Sequence, residues 1–213
     1  MGEEFLRHKN VLALEAAKVK YALPPEYAFY PADTWPHKNH AMLVKALHLL
    51  RTKHRREVPC VLTGIKRGAH DALLKAVEEH GLAQQVHLLG YVEKHDMPLL
   101  YQGARFLIFP YLFEGFGLPL LEAMASDCPI ICSRAASIPE VVGDAALLFD
   151  PNDPEEMADS MHRILTDEEL RRTLVKAGRE RALQFSWERT AHETLKVLEE
   201  AASIGPHPTH THR

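Results

Sequence analysis

The sequence predicts an α/β fold: one Rossmann-like, doubly wound domain of about six parallel strands flanked by helices, with a helical C-terminal extension. Between residues 24 and 150, short β-branched or aromatic runs alternate with longer segments of 3.6-residue apolar periodicity. Strands separated by helices form a parallel sheet covered on both faces, and right-handed crossovers make it doubly wound. After Asp150 only helical patterns remain, which indicates an extension and not a second α/β domain.

Each predicted element follows from a local pattern. Strands are predicted at residues 27–30, 59–63, 86–89, 105–110, 130–132 and 146–149. Helices between them are predicted at residues 38–54, 69–80, 96–102, 118–125 and 138–142. The extension predicts helices at residues 154–165, 168–184 and 187–202, with Asp167 and Ser186 as N-caps of the last two.

These elements divide the chain into three parts. Residues 1–23 form a polar, helix-prone extension or linker of open role that ends at Pro24 and Pro25. Residues 24–203 form the domain, and residues 204–213, rich in Pro, Thr and His, predict a disordered tail.

Composition argues against several classes of function. The 213-residue chain carries a net charge of −4 and no long basic run, so it lacks the footprint of a nucleic-acid-binding protein. Its longest apolar stretches are too short for a transmembrane segment. The N-terminus has no apolar core of a signal peptide, which predicts a cytoplasmic protein.

No metal site is predicted. Cys60, Cys128 and Cys132 lack C-x-x-C spacing and lie in or beside apolar runs, as small buried hydrophobic residues do. His37 and His40 are three residues apart at a predicted helix start, but no third ligand accompanies them.

The most informative loop follows the strand predicted at residues 105–110. Gly115 and Gly117 would let the backbone approach a ligand, and a helix begins near Leu118 with a proline in its first turn. The N–H groups of Phe116, Gly117 and Leu118 would then face the ligand. Exposed amides at a helix N-terminus bind phosphate, so this loop predicts a phosphate site.

Two carboxylates flank that loop. Glu114 precedes the helix, and Glu122 lies one turn into it within an otherwise apolar segment. Carboxylates accept paired hydrogen bonds from vicinal hydroxyls, so the combination favours a nucleotide-sugar site. The alternative is that Glu114 offsets the helix dipole and Glu122 pairs with a surface cation.

The stretch EGFGLPLLEAMA resembles the E-x7-E donor-binding motif of the family-4, or group 1, retaining glycosyltransferases of the GT-B fold. Further segments are similar to landmarks of that family: residues 35–39, 88–92, 137–148 and 185–187. The resemblance covers about residues 23–202. It implies that the chain is half of a GT-B fold, the C-terminal, donor-binding domain.

The resemblance also implies a role for each matching residue. Lys38 and Glu114 would be the catalytic pair: Lys38 neutralises the leaving phosphate, and Glu114 holds hydroxyls of the transferred sugar. Glu122 would hold the ribose, and Tyr91 and Val92 would line the base pocket, although Lys38 could be a solvated lysine and Tyr91 a packing residue. The backbone amides implied to hold the pyrophosphate lie in the segment Gly115, Phe116, Gly117 and Leu118.

One position departs from the family pattern. Many members carry an arginine six residues before the lysine, where this chain has Ala32. Lys66 and Arg67, in the loop after Gly64, are candidates for the extra phosphate contact, although such pairs are also common as solvated loop residues.

The resemblance implies transfer of a hexosyl group from a UDP- or GDP-linked donor to an unknown acceptor, without a metal or other cofactor. An acceptor-binding domain is expected in the same full-length protein or in a partner chain, and this chain alone is expected to be inactive. That domain could also attach the protein to a membrane surface. The alternative is a free-standing nucleotide-sugar-binding module; a Rossmann oxidoreductase is disfavoured because no G-x-G-x-x-G follows the first strand.

Overall fold

The computed structural model describes Phe5 and residues 10–203. Its centre is a parallel sheet of six strands in the order β3-β2-β1-β4-β5-β6. The strands are β1 Ala28–Pro31, β2 Cys60–Thr63, β3 Val86–Gly90, β4 Phe106–Phe109, β5 Ile130–Ser133 and β6 Ala146–Phe149. This order and the flanking helices confirm the predicted doubly wound, Rossmann-like fold.

The sheet is buried at its centre because its strands are apolar on both faces. Every residue of β2, β4 and β5 is buried, as expected for strands covered by helices on two sides. Ala28 of β1 pairs with Cys60 on one side and Phe106 on the other. The three cysteines are all buried, as predicted, and burial raises the pKa of the Cys60 thiol to about 12.

Helices alternate with the strands and continue beyond them. They are α1 Val11–Lys20, α2 His40–Lys53, α3 His70–Glu79, α4 Met97–Gly103, α5 Leu118–Ala125, α6 Ile138–Val142, α7 Pro154–Thr166, α8 Glu168–Ala182 and α9 Trp187–Ser203. The predicted N-caps are confirmed: Asp167 Oδ1 accepts from the N–H of Leu170 at 2.9 Å, and Ser186 Oγ accepts from the N–H of Arg189 at 3.1 Å.

The start predicted for the first long helix was wrong by two residues. Residues Pro36–Lys38 form a separate 3₁₀ turn, and Asn39 takes the left-handed conformation with φ 67° before α2 begins at His40. The Asn39 side-chain amide donates to the carbonyls of Pro110 and Pro151 at 3.0 and 2.8 Å, which stabilises the break. Lys38 is therefore placed by a short turn and not by a helix.

Part of the predicted extension is helical and contacts the domain. Ala17 on α1 is buried, and α1 packs against α4. At the end of α1, Lys20 Nζ and the Tyr21 hydroxyl both donate to Asp96 Oδ2 at 2.6 Å. The predicted disordered tail, residues 204–213, lies outside the described residues, as do residues 1–4 and 6–9.

Two kinds of feature are absent from the described part of the chain. No helix in it is long and apolar enough to cross a membrane. Among the same residues, no cluster of three or more His, Cys, Asp or Glu side chains could hold a metal ion.

Candidate functional site

The candidate site lies at the carboxyl edge of the sheet, where β1 and β4 are neighbours. From β1 the chain proceeds outward to β2, and from β4 it proceeds in the opposite direction to β5. The loops that leave these two strands diverge and open a crevice. The loop after β1 carries Lys38, and the loop after β4 carries Glu114 and the glycines.

The glycine loop leads directly into α5. Gly117 is the N-cap and takes the left-handed conformation with φ 90° and ψ 56°, while a proline follows in the first turn. The N–H groups of Phe116, Gly117 and Leu118 make no hydrogen bond with any described residue. The N–H of Gly115 differs, because it donates to Glu114 Oε1 at 3.1 Å. Three amides at the N-terminus of α5 are thus able to bind an anion.

Lys38 and Glu114 form an ion pair beside those amides. Lys38 Nζ lies 2.9 Å from Glu114 Oε2, and the two side chains are 17% and 22% exposed. The same ammonium lies 3.7 Å from the centroid of the Tyr111 ring. The sequence placed Lys38 and Glu114 in one site, and the structure shows them in direct contact.

Hydrogen bonds to backbone carbonyls hold the two loops in place. The N–H of Leu112 donates to the carbonyl of His37 at 2.9 Å, and the Tyr30 hydroxyl donates to the carbonyl of Lys38. Ser137 Oγ donates to the carbonyl of Glu114 at 2.7 Å. The lysine and the carboxylate are thus anchored at the backbone, while their side chains remain partly exposed.

Glu122 lies on α5 and contacts a buried tyrosine. The Tyr101 hydroxyl donates to Glu122 Oε2 at 2.9 Å. Burial raises the pKa of Tyr101 well above its usual value, and the adjacent carboxylate of Glu122 raises it further, so the hydroxyl remains a donor.

Tyr91 and Val92 follow the edge strand β3. Tyr91 is 68% exposed and Val92 is 6% exposed, so the two neighbours differ sharply in what they offer a ligand. Strands β2 and β1 separate β3 from β4. At about 4.8 Å per strand spacing, this pair lies on the order of 14 Å across the sheet from the end of β4. The structure brings them to the same edge of the sheet as Lys38, but not into contact with it.

The loop after β2 passes close to the backbone of Ala32. Gly64 has φ 122°, and a Cβ built there would lie 2.5 Å from the carbonyl carbon of Ala32. Lys66 lines a cavity of about 330 Å³ together with Ala32. Arg67 is paired with the residue that follows Ala32, since its Nε lies 3.4 Å from Asp33 Oδ2. Of the two predicted extra cations, Lys66 thus lines the cavity beside Ala32, and Arg67 already has a carboxylate partner.

The same cavity reaches His40. In the sequence His40 stands out only with His37, as two possible metal ligands without a third. His40 is 3% exposed, packs its ring 4.8 Å from that of Tyr30, and has no hydrogen bond from either ring nitrogen within the described residues. Burial lowers the pKa of His40 to about 4. Sequence reasoning also missed Tyr101 and Tyr111, whose only signal is an aromatic residue in, or just before, a predicted loop.

Comparisons with known proteins identify the family of this chain. The family model described as "Glycosyl transferases group 1" matches residues 15–181. The O-antigen chain mannosyltransferase B of Escherichia coli is 39% identical over 171 residues, which are 80% of this chain and 45% of the relative. The chain thus spans less than half the length of this relative.

Solved structures share the fold. HepE from Anabaena, in complex with UDP and glucose, superposes with a TM-score of 0.80 at 20% identity. The superposed part is 92% of this chain and 55% of the HepE chain. The C-terminal domain of LpcC, a group 1 glycosyl transferase family protein from Francisella tularensis, superposes with a TM-score of 0.71 at 23% identity. It covers 85% of this chain and 95% of that domain. The chain therefore belongs to the group 1 glycosyl transferases and has the fold of their C-terminal GT-B domain.

Proposed function

We propose that this chain is the nucleotide-sugar-binding half of a retaining glycosyltransferase that transfers a hexosyl group from a UDP- or GDP-linked donor. The observation that carries the proposal is the contact between Lys38 Nζ and Glu114 Oε2 at 2.9 Å, beside the unused amides of α5. A cation and a helix N-terminus suit a diphosphate, and a carboxylate suits sugar hydroxyls. A sugar nucleotide presents both chemistries side by side.

The proposed mechanism is electrostatic. When the bond between the sugar and the diphosphate breaks, negative charge accumulates on the leaving phosphate. The Lys38 ammonium and the amides of Phe116, Gly117 and Leu118 would stabilise that charge in place of a metal ion. Glu114 would orient the sugar and Glu122 the ribose. Lys66 would supply the positive charge that many family members have as an arginine at the position of Ala32.

Donor binding would replace the ion pair between Lys38 and Glu114. Lys38 would turn its N–H groups to phosphate oxygens, and Glu114 would accept from sugar hydroxyls. Because both side chains are less than one quarter exposed, their exchange of partners costs little new desolvation. In the ion pair the two charges thus neutralise each other, and the donor would replace each partner.

The named relatives support this proposal. The Escherichia coli relative is called a mannosyltransferase, and mannose is a hexose. The HepE structure contains UDP and glucose. Because the chain covers 45% of that relative, we propose that an acceptor-binding domain is supplied by the rest of a longer protein or by a partner chain. We place the protein in the cytoplasm or at the surface of a membrane.

Calorimetric titration with UDP, GDP and their hexose conjugates tests the proposal. Lys38→Ala should weaken diphosphate binding by about 1–3 kcal/mol, the usual contribution of a hydrogen bond to a charged group. Lys196→Ala, on exposed α9, is the matched control and should bind as the wild type does. Equal affinities of the Lys38→Ala and Lys196→Ala variants would contradict the phosphate role.

A second comparison separates the sugar role from the phosphate role. Glu114→Gln should weaken binding of the sugar nucleotide but not of the free diphosphate, because the substitution also releases Lys38 from its ion pair. Equal losses for the two ligands would refute the assignment of Glu114 to the sugar.

A further inference from the structure

The Lys38 ammonium has two neighbours of different kinds. One is the Glu114 carboxylate at 2.9 Å, and the other is the face of the Tyr111 ring, whose centroid lies 3.7 Å from Nζ. The negative face of an aromatic ring attracts a cation within about 6 Å. The position of the ammonium therefore depends on both a carboxylate and an aromatic ring.

Tyr111 itself is fixed from several sides. It is 2% exposed, and its ring stacks on that of Phe109 with a centroid distance of 3.6 Å. Its hydroxyl donates to the carbonyl of Pro31 at 3.1 Å, and its own carbonyl accepts from Ser133 Oγ at 2.6 Å. These contacts tie the residue to the ends of β1, β4 and β5, so its ring is a rigid surface.

Apart from those two contacts of the ammonium, Lys38 is held at its backbone. Its N–H donates to the carbonyl of Trp35 at 3.0 Å, and its carbonyl accepts from Tyr30. Four rotatable bonds separate this anchor from the ammonium, and a lysine side chain loses rotamer entropy when it is held. Without a restraint beyond the backbone, the ammonium would sample many positions.

The two restraints differ in what happens when donor binds. Under the proposed function, Glu114 accepts hydroxyls of the sugar and so gives up part of its contact with Lys38. The Tyr111 ring carries no group that the donor would engage, because its one hydroxyl is already bonded to Pro31. The ring is thus the restraint that survives donor binding.

We propose that Tyr111 is a positioning residue that holds the Lys38 ammonium at the diphosphate through its ring face. The inference rests on the proposed phosphate role of Lys38 and extends it to a residue that touches neither sugar nor phosphate. Its content is electrostatic: the negative face of the ring matters, and the hydroxyl does not.

The test compares Phe with fluorinated Phe at position 111, which changes the charge distribution of the ring with little change in its size. Position 111 is replaced by Phe, by 3,5-difluorophenylalanine and by 3,4,5-trifluorophenylalanine in the full chain, because fluorine withdraws charge from the ring face. Affinity for UDP and for GDP is measured by calorimetry in the wild-type background and in Lys38→Met. Thermal unfolding of each variant is recorded alongside, so that loss of binding is compared only among folded proteins.

We expect Tyr111→Phe to bind the tighter of the two diphosphates within about threefold of the wild type, and the trifluoro variant to bind about 3- to 30-fold more weakly than Tyr111→Phe. In Lys38→Met the fluorine substitutions should change nothing, because the cation that senses the ring is gone. A loss of affinity that grows with fluorination only when Lys38 is present supports the inference.

Three other results would overturn it, and they are distinguishable. If wild type and Lys38→Met bind both diphosphates equally, or not at all, the phosphate role of Lys38 is wrong and the inference falls with it. If Lys38→Met binds weakly but fluorination has no effect, Lys38 keeps its proposed role and Tyr111 only packs. If fluorination weakens binding equally in both backgrounds, the ring acts on the fold and not on the ammonium.

Discussion

Replacing His40 should change how the stability of the protein depends on pH. The imidazole is 3% exposed beneath the loop that follows β2, and its pKa is about 4, against an ordinary value of 6.5. Burial is the main cause of the lowered pKa; the backbone of Ala32 offsets part of it, and His70 and Lys38 lower the pKa further. In the unfolded chain the ring regains its ordinary pKa and binds a proton more readily than in the folded protein.

The sign and size of the pH effect on the free energy of unfolding follow from this difference in pKa. Between pH 6.5 and pH 4 the unfolded state holds more protons at this position, so the free energy of unfolding falls as the pH falls. With a folded pKa of about 4, the contribution lost between pH 7 and pH 5 is about 2 kcal/mol, and below both pKa values it approaches about 3 kcal/mol. At neutral pH and above, His40 has almost no effect on how the free energy of unfolding changes with pH.

The assay is urea unfolding followed by far-ultraviolet circular dichroism at a series of pH values. His40→Phe is suitable because the adjoining cavity of about 330 Å³ can accept the larger ring. His192→Gln, which removes an exposed ring on α9, controls for histidine content alone. The wild type and His192→Gln should lose about 2 kcal/mol more between pH 7 and pH 5 than His40→Phe does. Parallel curves for all three proteins would refute the reasoning.

Three further predictions follow from contacts in the structure. Tyr101→Phe should weaken binding of UDP or GDP by about 1–2 kcal/mol, because in the proposed site the Tyr101 hydroxyl orients Glu122 toward the ribose. The 2′-deoxy analogues of these nucleotides should be less affected. Equal losses for the ribose and 2′-deoxyribose nucleotides in calorimetry would argue against that role. Gly64→Ala should destabilise the fold by more than about 2 kcal/mol in urea unfolding, since its Cβ would lie 2.5 Å from backbone atoms of Ala32, and a smaller loss would mean that the loop shifts freely. Asp167→Ala should cost about 1 kcal/mol by the same measurement through loss of the α8 cap, and no change would show that the cap contributes little.

Sequence patterns were sufficient for the architecture because each strand and helix carries its own signal. The runs at β2, β4 and β5 are apolar on both faces, and the structure buries them on both faces. The start of α2 was misplaced because the break depends on Asn39, whose side chain bonds to carbonyls 71 and 112 residues away. A contact of that kind leaves no local pattern.

The candidate site was predictable only in part for the same reason. Glu114 and the glycines stand together in the sequence, so the loop could be recognised from its residues. Tyr101 and Tyr111 contact Glu122 and Lys38, which lie 21 and 73 positions away along the chain. Such contacts depend on which strands become neighbours, and that order is a property of the folded sheet.

The packing of α1 bears on where the folding unit begins. A chain shortened to start at residue 24 would lose the Lys20 and Tyr21 contacts to Asp96 and expose the surface of α4 that Leu14 and Ala17 cover. Tyr101 belongs to that same helix, and its ring packs against Phe5 at 6.0 Å. Truncation at the apparent domain boundary would thus loosen the support behind Glu122, so a protein prepared for nucleotide binding should retain the segment before residue 24.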